Sequence, residues 1–377
     1  MKSIKELGNI KGKRVLLRVD FNVSIKDGKV RDDFRIKKAV PTIEFLQKKG
    51  AITIILAHNE ANDGTLPPFL PISKALSKYV KHTFMDEPIE NAIRDKEKYL
   101  SHLKAGDVVL LSNLRTASGE KKNDVSFARG LSRLGEIYVN DAFSVSHREH
   151  ASIVSLPKFL PGYAGFQFEE EVKNLSLAFS PKHPFLFILG GAKFETKIPL
   201  VKKFLKDADT VFIAGALAND FFKAKGYVVG TSLVDSANLN LKTLIKCPNL
   251  ALPIDVEVSN GKNKRFTKPN DVHGDEMMVD AGPETIKYLK EQITQAKFIL
   301  WNGPLGKYEL GFGGATEEIL KFISKSKAHS IIGGGDTVAL VSKLKLEDKL
   351  GFVSTGGGAT LDFLAKGTLP GIKALNK

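Results

Sequence analysis

The sequence predicts an α/β protein of two doubly wound parallel-sheet domains joined by a helix hinge. Three observations predict it. The chain has 377 residues, more than one hydrophobic core usually supports. Short runs of Val, Ile and Leu alternate with longer amphipathic segments, the pattern of βαβ units. The turns after those runs are polar and charged in the first half and glycine-rich in the second. The expected division is a first domain over 1–167 completed by the C-terminal segment 360–377, a connecting helix over 168–180, and a second domain over 181–359.

In the first half the expected strands are Arg14–Val19, Ala51–Ala57, Asp107–Leu111 and Glu136–Val139. In the second they are Phe185–Leu189, Thr210–Ala214, Phe298–Trp301, Ser330–Ile332 and Phe352–Ser354. Ile36, Val40, Ile43 and Leu46 share one face of a helix over Arg35–Lys49, which Pro41 is expected to kink or break. The acidic, amphipathic Phe168–Phe179 ends at Ser180-Pro181 and separates the two strand sets, which makes it the candidate connecting helix.

Composition narrows the function classes. Cys247 is the only cysteine, so an intrachain disulfide and a cysteine-based metal cluster are excluded, and a reducing compartment fits. Met1–Ile10 has no apolar core, and no stretch approaches the roughly 18 apolar residues of a membrane span; the expectation is a cytoplasmic protein with no membrane partner. Lys plus Arg exceed Asp plus Glu by 56 minus 42, or 14, a positive field that attracts anions. Nucleic acid is one such partner, but the lysines are scattered, and there is no basic tail, Cys/His finger or aromatic RNA-binding pattern. Small phosphates and carboxylates suit the same charge. His147 and His150 lack a second ligand cluster, which argues against a metal centre there.

Ligands of open parallel sheets bind beyond the carboxyl ends of the strands. After the first-half strands stand Asp20 and Asn22, His58, Asn113 and Arg115, then Asn140 and Asp141. Such hydrogen-bonding and charged groups suit a small, polar anion, with Arg115 offering a planar fork and Arg148 a further cation. After the second-half strands stand Gly190-Gly191-Ala192-Lys193, Gly215, Gly303, Gly333-Gly334-Gly335-Asp336-Thr337 and Gly356-Gly357-Gly358. Backbone amides approach phosphate closely where no Cβ intervenes, and a helix start adds favourable partial charge, so a nucleotide site is the direct reading. For any single glycine the alternative is a plain tight turn. Lys193 and Lys197 share a helix face where phosphate would relieve their repulsion, or are solvated surface lysines. The P-loop pattern, the protein-kinase motifs and the dinucleotide G-x-G-x-x-G are all absent.

The run Arg18-Val19-Asp20-Phe21-Asn22-Val23 with Asp32-Asp33-Phe34-Arg35-Ile36 resembles the N-terminal signature of phosphoglycerate kinases. Tyr138-Val139-Asn140-Asp141-Ala142-Phe143, His147-Arg148, Leu189-Gly190-Gly191-Ala192-Lys193, Trp301-Asn302-Gly303-Pro304, Gly333-Gly334-Gly335-Asp336-Thr337 and Ser354-Thr355-Gly356-Gly357-Gly358-Ala359 are similar to later family blocks in the same order. The resemblance covers the chain from about residue 3 to the C-terminus, including Leu369-Pro370-Gly371. It implies a monomeric, cytoplasmic glycolytic kinase, with 3-phosphoglycerate or 1,3-bisphosphoglycerate on the first domain and Mg-ADP or Mg-ATP on the second. By the same resemblance Asp20, Asn22, Arg35, His58, Arg115 and Arg148 hold the acid substrate. Gly191, Lys193, Lys197, Asn302, Glu309, Gly335, Asp336 and Thr337 hold the nucleotide, with Asp336 toward the magnesium ion and Glu309 toward the ribose. Catalysis is expected from positioning and electrostatics, with Arg35, Lys193 and the amides at Gly334 and Gly335 as the candidates and a hinge closing the cleft to exclude water.

Several positions depart from the family pattern. The usual Leu-Gly-Arg-Pro after His58 reads Asn59-Glu60-Ala61-Asn62, which removes one arginine at Ala61 and adds a carboxylate at Glu60 that is expected to worsen the field for an anion. Thr196 replaces an aspartate, Ser112 a glutamate and Thr116 an aromatic residue, and a three-glycine turn reads Ala214-Gly215-Ala216, whose methyl groups are expected to narrow the adenine face. The rival readings are a non-enzymatic relative that keeps nucleotide binding, a nicotinamide-dependent dehydrogenase, and a basic nucleic-acid-binding protein.

Overall fold

The computed structural model describes residues 1–61, 63–192, 194–235 and 241–376. The chain forms two compact units, Met1–Lys173 with Lys366–Lys377, and Asn174–Ala365. The helix Phe166–Ser176, followed by a 3-10 turn over Leu177–Phe179, spans the division. Among the described residues no helix is long and apolar enough to cross a membrane.

The first unit is built on a six-stranded sheet in the order Thr83–Met85, Val108–Leu111, Ile52–Leu56, Arg14–Arg18, Ile137–Asn140, Gly162–Ala164. Its neighbouring pairs all run parallel. Every residue of Ile52–Leu56 is buried, as expected where helices cover both faces of a parallel sheet. The helix Phe34–Lys48 packs Ile36, Ala39, Ile43 and Leu46 into that core, and each large aliphatic side chain so buried contributes about 1.5–3 kcal/mol.

Of the kink or break expected at Pro41, the break does not occur: the helix runs through it. Proline costs a helix one hydrogen bond, to the carbonyl four residues back. Here both Pro41 and Lys37 lie on the exposed face, so water can satisfy that carbonyl while the buried stripe continues on either side.

The second unit carries a six-stranded sheet in the order Leu250–Ala251, Thr210–Ile213, Phe185–Leu189, Phe298–Asn302, His329–Gly333, Phe352–Val353. Its pairs are also parallel. An antiparallel three-stranded sheet of Lys264–Thr267, Val256–Ser259 and Met277–Ala281 accompanies it. The large strands match the expected ones to within a residue or two. The short strands Thr83–Met85, Gly162–Ala164 and Leu250–Ala251 and the antiparallel sheet lacked a sequence signal, since runs of two to five mixed residues carry little periodicity.

Register is what positions the functional residues. Arg18 lies opposite Leu56 on one side and Asn140 on the other, so Asp20 and His58 emerge two residues beyond their strands at one level, with Asp141 one residue beyond Asn140. In the second unit Leu189 pairs with Ile213 and Asn302, and Asn302 with Gly333. Gly190, Ala214, Gly303 and Gly334 therefore leave the sheet at one level.

Candidate functional site

The edge of the first unit is a network of cations and amides. Arg18 is fully buried; its Nε donates to Ser152 Oγ (3.0 Å), its Nη2 lies 3.0 Å from His58 Nδ1, and its Nη1 donates to the Val19 carbonyl. Asp20 accepts from Arg35 Nη1, from the Asn22 amide (3.0 Å) and from Ser144 Oγ (2.5 Å). This fixes Arg35, which stands in the first turn of the helix Phe34–Lys48. Asn59 donates to the carbonyls of Phe21 (3.1 Å) and Val23 (2.7 Å), and its own carbonyl accepts from Asn113 Nδ2 (2.6 Å). The Glu60 amide donates to Asn22 Oδ1 at 2.9 Å. The two loops are thus stitched together by side-chain amides.

Positive charge is concentrated beyond what this network neutralises. Burial, then the fields of Arg148 and Arg18, hold the Arg115 guanidinium down at about 10. Burial and the guanidiniums of Arg18, Arg115 and Arg148 keep His58 neutral, well below the usual imidazole range. His150 is pushed down to about 4 by burial and by Arg115, Arg148, Arg18 and Lys121. His58 Nε2 and Arg115 Nε and Nη2 are buried with no hydrogen-bond partner among the described residues. Unpartnered buried donors are costly in a folded protein, and a bound anion is one partner that would satisfy them.

The edge of the second unit offers backbone instead. Gly191, Gly215, Gly303 and Gly334 all have left-handed φ angles, of 78°, 60°, 89° and 94°. A Cβ at Gly190 would lie 2.0 Å from the Pro304 carbonyl oxygen, and one at Gly334 would lie 2.8 Å from the Gly303 nitrogen. These turns therefore admit glycine for two reasons, backbone conformation and space. Gly334 precedes the helix Gly335–Leu344, whose first-turn amides lack intrahelical acceptors, as at any helix start. Asp336 is exposed in that turn and Thr337 is fully buried. Thr337 Oγ1 and Asn302 Nδ2 are buried without a hydrogen-bond partner among the described residues.

A cavity of about 310 Å³ opens beside these turns, lined by Gly191, Gly215, Ala216, Leu305, Glu309 and Asp336 among others. That lies at the lower end of the range for small-molecule sites. Asp280 also lines it; its carboxylate accepts from the Ala315 and Ala281 amides at 3.1 and 2.9 Å, and burial pushes it up to about 6.

All six candidate acid-binding residues, Asp20, Asn22, Arg35, His58, Arg115 and Arg148, belong to the first unit's edge. Gly191, Asn302, Gly335, Asp336 and Thr337 lie along the second unit's edge, and Glu309 lines the cavity. Lys197 Nζ donates to the Gly190 carbonyl, which draws it onto the first glycine turn. Lys193 lies outside the described residues, as does the side chain of Thr196. Of the two alanines expected to narrow the cavity, Ala216 lines it, whereas Ala214 is fully buried and does not. Sequence reasoning does not single out Arg18, Ser144, Lys121 or Asp280. Arg18 is the last residue of a strand and Asp280 lies inside one, so local sequence suggests no exposed role for either.

Among the described residues no group of three or more His, Cys, Asp and Glu side chains could hold a metal ion. The exposed Asp336 carboxylate, alone at a phosphate-ready helix start, suits the other mode, in which magnesium is bound by one or two carboxylates and completed by nucleotide phosphates.

Residues 4–367 match the family model described as phosphoglycerate kinase. The chain is 40% identical over 388 residues to the phosphoglycerate kinase of Thermosipho africanus, covering 97% of this chain and 96% of that protein. It is 38% identical over 399 residues to that of Borrelia garinii subsp. bavariensis, covering the whole of both. Among solved structures, phosphoglycerate kinase from Coxiella burnetii superposes with a TM-score of 0.83 at 33% identity, over 99% of this chain and 98% of that one. The Pyrococcus horikoshii enzyme superposes with a TM-score of 0.86 at 29% identity, over 100% and 98%. With its two parallel sheets, its cationic edge and its glycine edge, the chain belongs to the phosphoglycerate kinase family.

Proposed function

We propose that the cationic edge of the first unit holds 3-phosphoglycerate or 1,3-bisphosphoglycerate and the glycine edge of the second holds ADP or ATP. The activity is that of the family, a phosphotransferase with a carboxyl-group acceptor acting in glycolysis. A phosphoryl group moves reversibly from the acyl phosphate of 1,3-bisphosphoglycerate to ADP, giving 3-phosphoglycerate and ATP. The acyl oxygen–phosphorus bond breaks, a bond from phosphorus to the terminal oxygen of ADP forms, and the carboxylate leaves with its electron pair. Neither a general base nor a covalent intermediate is required, so binding and charge carry the catalysis.

Asp20, Asn22, His58, Arg115 and Arg148 orient the acid and its phosphate. Arg35, Lys193 and the amides at Gly334 and Gly335 meet the negative charge that spreads over the transferring oxygens. Gly191, Lys197, Asn302 and Thr337 seat the nucleotide phosphates, and Glu309 reaches the ribose. Asp336 would hold a magnesium ion together with those phosphates, which supplies charge neutralisation there. The enzyme works as a cytoplasmic monomer without a nucleic-acid or membrane partner; sedimentation of the purified chain checks its mass.

The observation that carries this assignment is the pair of strand registers, which gather cations and side-chain amides at one sheet and left-handed glycines at the other. A coupled assay with ATP, magnesium and 3-phosphoglycerate tests it beside an Arg35→Ala control. Turnover that Arg35→Ala leaves intact overturns the placement of the acid substrate.

A further inference from the structure

Glu60 occupies an unexpected place. Rather than simply opposing an anion from a distance, its carboxylate bridges two cations, accepting from Arg115 Nη1 at one oxygen and from Lys121 Nζ at 2.6 Å at the other. Its side chain is only 15% exposed, and its backbone amide is held by Asn22 Oδ1, itself a candidate substrate ligand. The neighbouring Asn59 is locked to Phe21, Val23 and Asn113, so the chain presents Glu60 to the cationic cluster from a fixed base. Lys121 belongs to that cluster electrostatically: burial, then Arg115 and Arg148, lower it. Ala61, next along, bears no charge where the family pattern has an arginine.

We propose that Glu60 is a built-in stand-in for the substrate phosphate, and that the incoming phosphate displaces it and takes both Arg115 and Lys121, with Lys121 supplying the cation absent at Ala61. This rests on the assignment of the acid substrate to the first unit. A carboxylate carries one negative charge, whereas a phosphate monoester approaches two above its second pKa of about 6. The dianion therefore outcompetes Glu60 for two cations. Without a counter-ion, moreover, Arg115 would be a desolvated, unpaired charge in the free enzyme.

The test is calorimetric titration of the full chain with 3-phosphoglycerate, using the wild type, Glu60→Gln, Glu60→Asp, Lys121→Met and Arg35→Ala. Removing one competing charge, or deleting one charged hydrogen bond to the phosphate, corresponds to roughly tenfold: Glu60→Gln should tighten 3-phosphoglycerate by about that factor, and Lys121→Met should weaken it by as much. Nucleotide affinity should be the same in both variants. Equal or weaker binding by Glu60→Gln overturns the stand-in, and unchanged binding by Lys121→Met overturns the replacement. If Glu60→Gln fails to fold, Glu60→Asp decides, since its shorter carboxylate keeps the charge but does not span both cations. Tighter binding then supports the proposal, and equal or weaker binding overturns it. Indifference of 3-phosphoglycerate binding to Arg35→Ala would instead refute the underlying site assignment.

Discussion

The two sheets of this enzyme end in opposite kinds of chemistry. At the first, long charged and polar side chains converge and pair with one another: Arg35 on Asp20, Arg115 on Glu60, Arg18 beside His58. At the second, the polypeptide backbone itself forms the exposed edge, shaped by left-handed glycines whose neighbours leave no room for a methyl group. The contrast teaches where each site tolerates change. A charge-based edge can lose a cation at Ala61 and gain a carboxylate at Glu60 while keeping its architecture, because long side chains re-pair. A backbone edge has no such freedom, since what it presents is amides and their positions are the fold.

The largest effect that would break this contrast is expected at Arg35. Arg35→Ala should lower kcat by about two to three powers of ten, the usual loss when a preorganised donor to developing charge is removed. Its nucleotide affinity, measured by titration, should stay at the wild-type value, and a fall there would mean that the two edges are not independent. At the other edge, Gly334→Ala forces a left-handed residue, costing about 1–2 kcal/mol, and places its Cβ 2.8 Å from the Gly303 nitrogen. Nucleotide affinity should fall about ten- to a hundredfold, with 3-phosphoglycerate binding unchanged. Next, Ala61→Arg restores a cation and should lower the Michaelis constant for 3-phosphoglycerate by about tenfold; an unchanged constant would show that the departure is already fully compensated.

The smallest effect concerns pH. His150 has its folded pKa depressed to about 4 from 6.5, chiefly by burial and by the cations around it. The folded state thus resists a proton that the unfolded state accepts. This group's contribution to stability is present above pH 6.5 and is lost as the pH falls through about 4. Thermal midpoints measured between those limits should fall less steeply in His150→Gln than in the wild type, by about 2 to 4 °C. No comparable cationic slope is expected from the second unit's edge, where Asp280 is shifted in the opposite direction. Its pKa is raised to about 6 from 3.8, so its contribution is present below 3.8 and lost as the pH rises through about 6.

What the sequence determined by itself was whatever lies within a few consecutive residues. The buried strands declared themselves as runs such as Ile52–Leu56, and the phosphate-ready turns as Gly333-Gly334-Gly335 before a helix, because periodicity and backbone conformation are local properties. Asp20, Asn22, His58, Arg115 and the glycine turns were legible for the same reason, since they follow closely on those strands, whereas Arg35 and Glu309 were named as ligands by the family resemblance. Pro41 leaves its helix unbroken because the cost of a proline depends on whether the freed carbonyl faces water, and that depends on packing. The short edge strands needed their neighbours in order to exist at all. Only the tertiary structure decided the charge pairs. Arg18 with Ser152, and Glu60 with Arg115 and Lys121, join residues scores of positions apart, and parallel-strand register sets their distances. Electrostatic energy depends on separation and burial in space, and neither is written in the order of the residues.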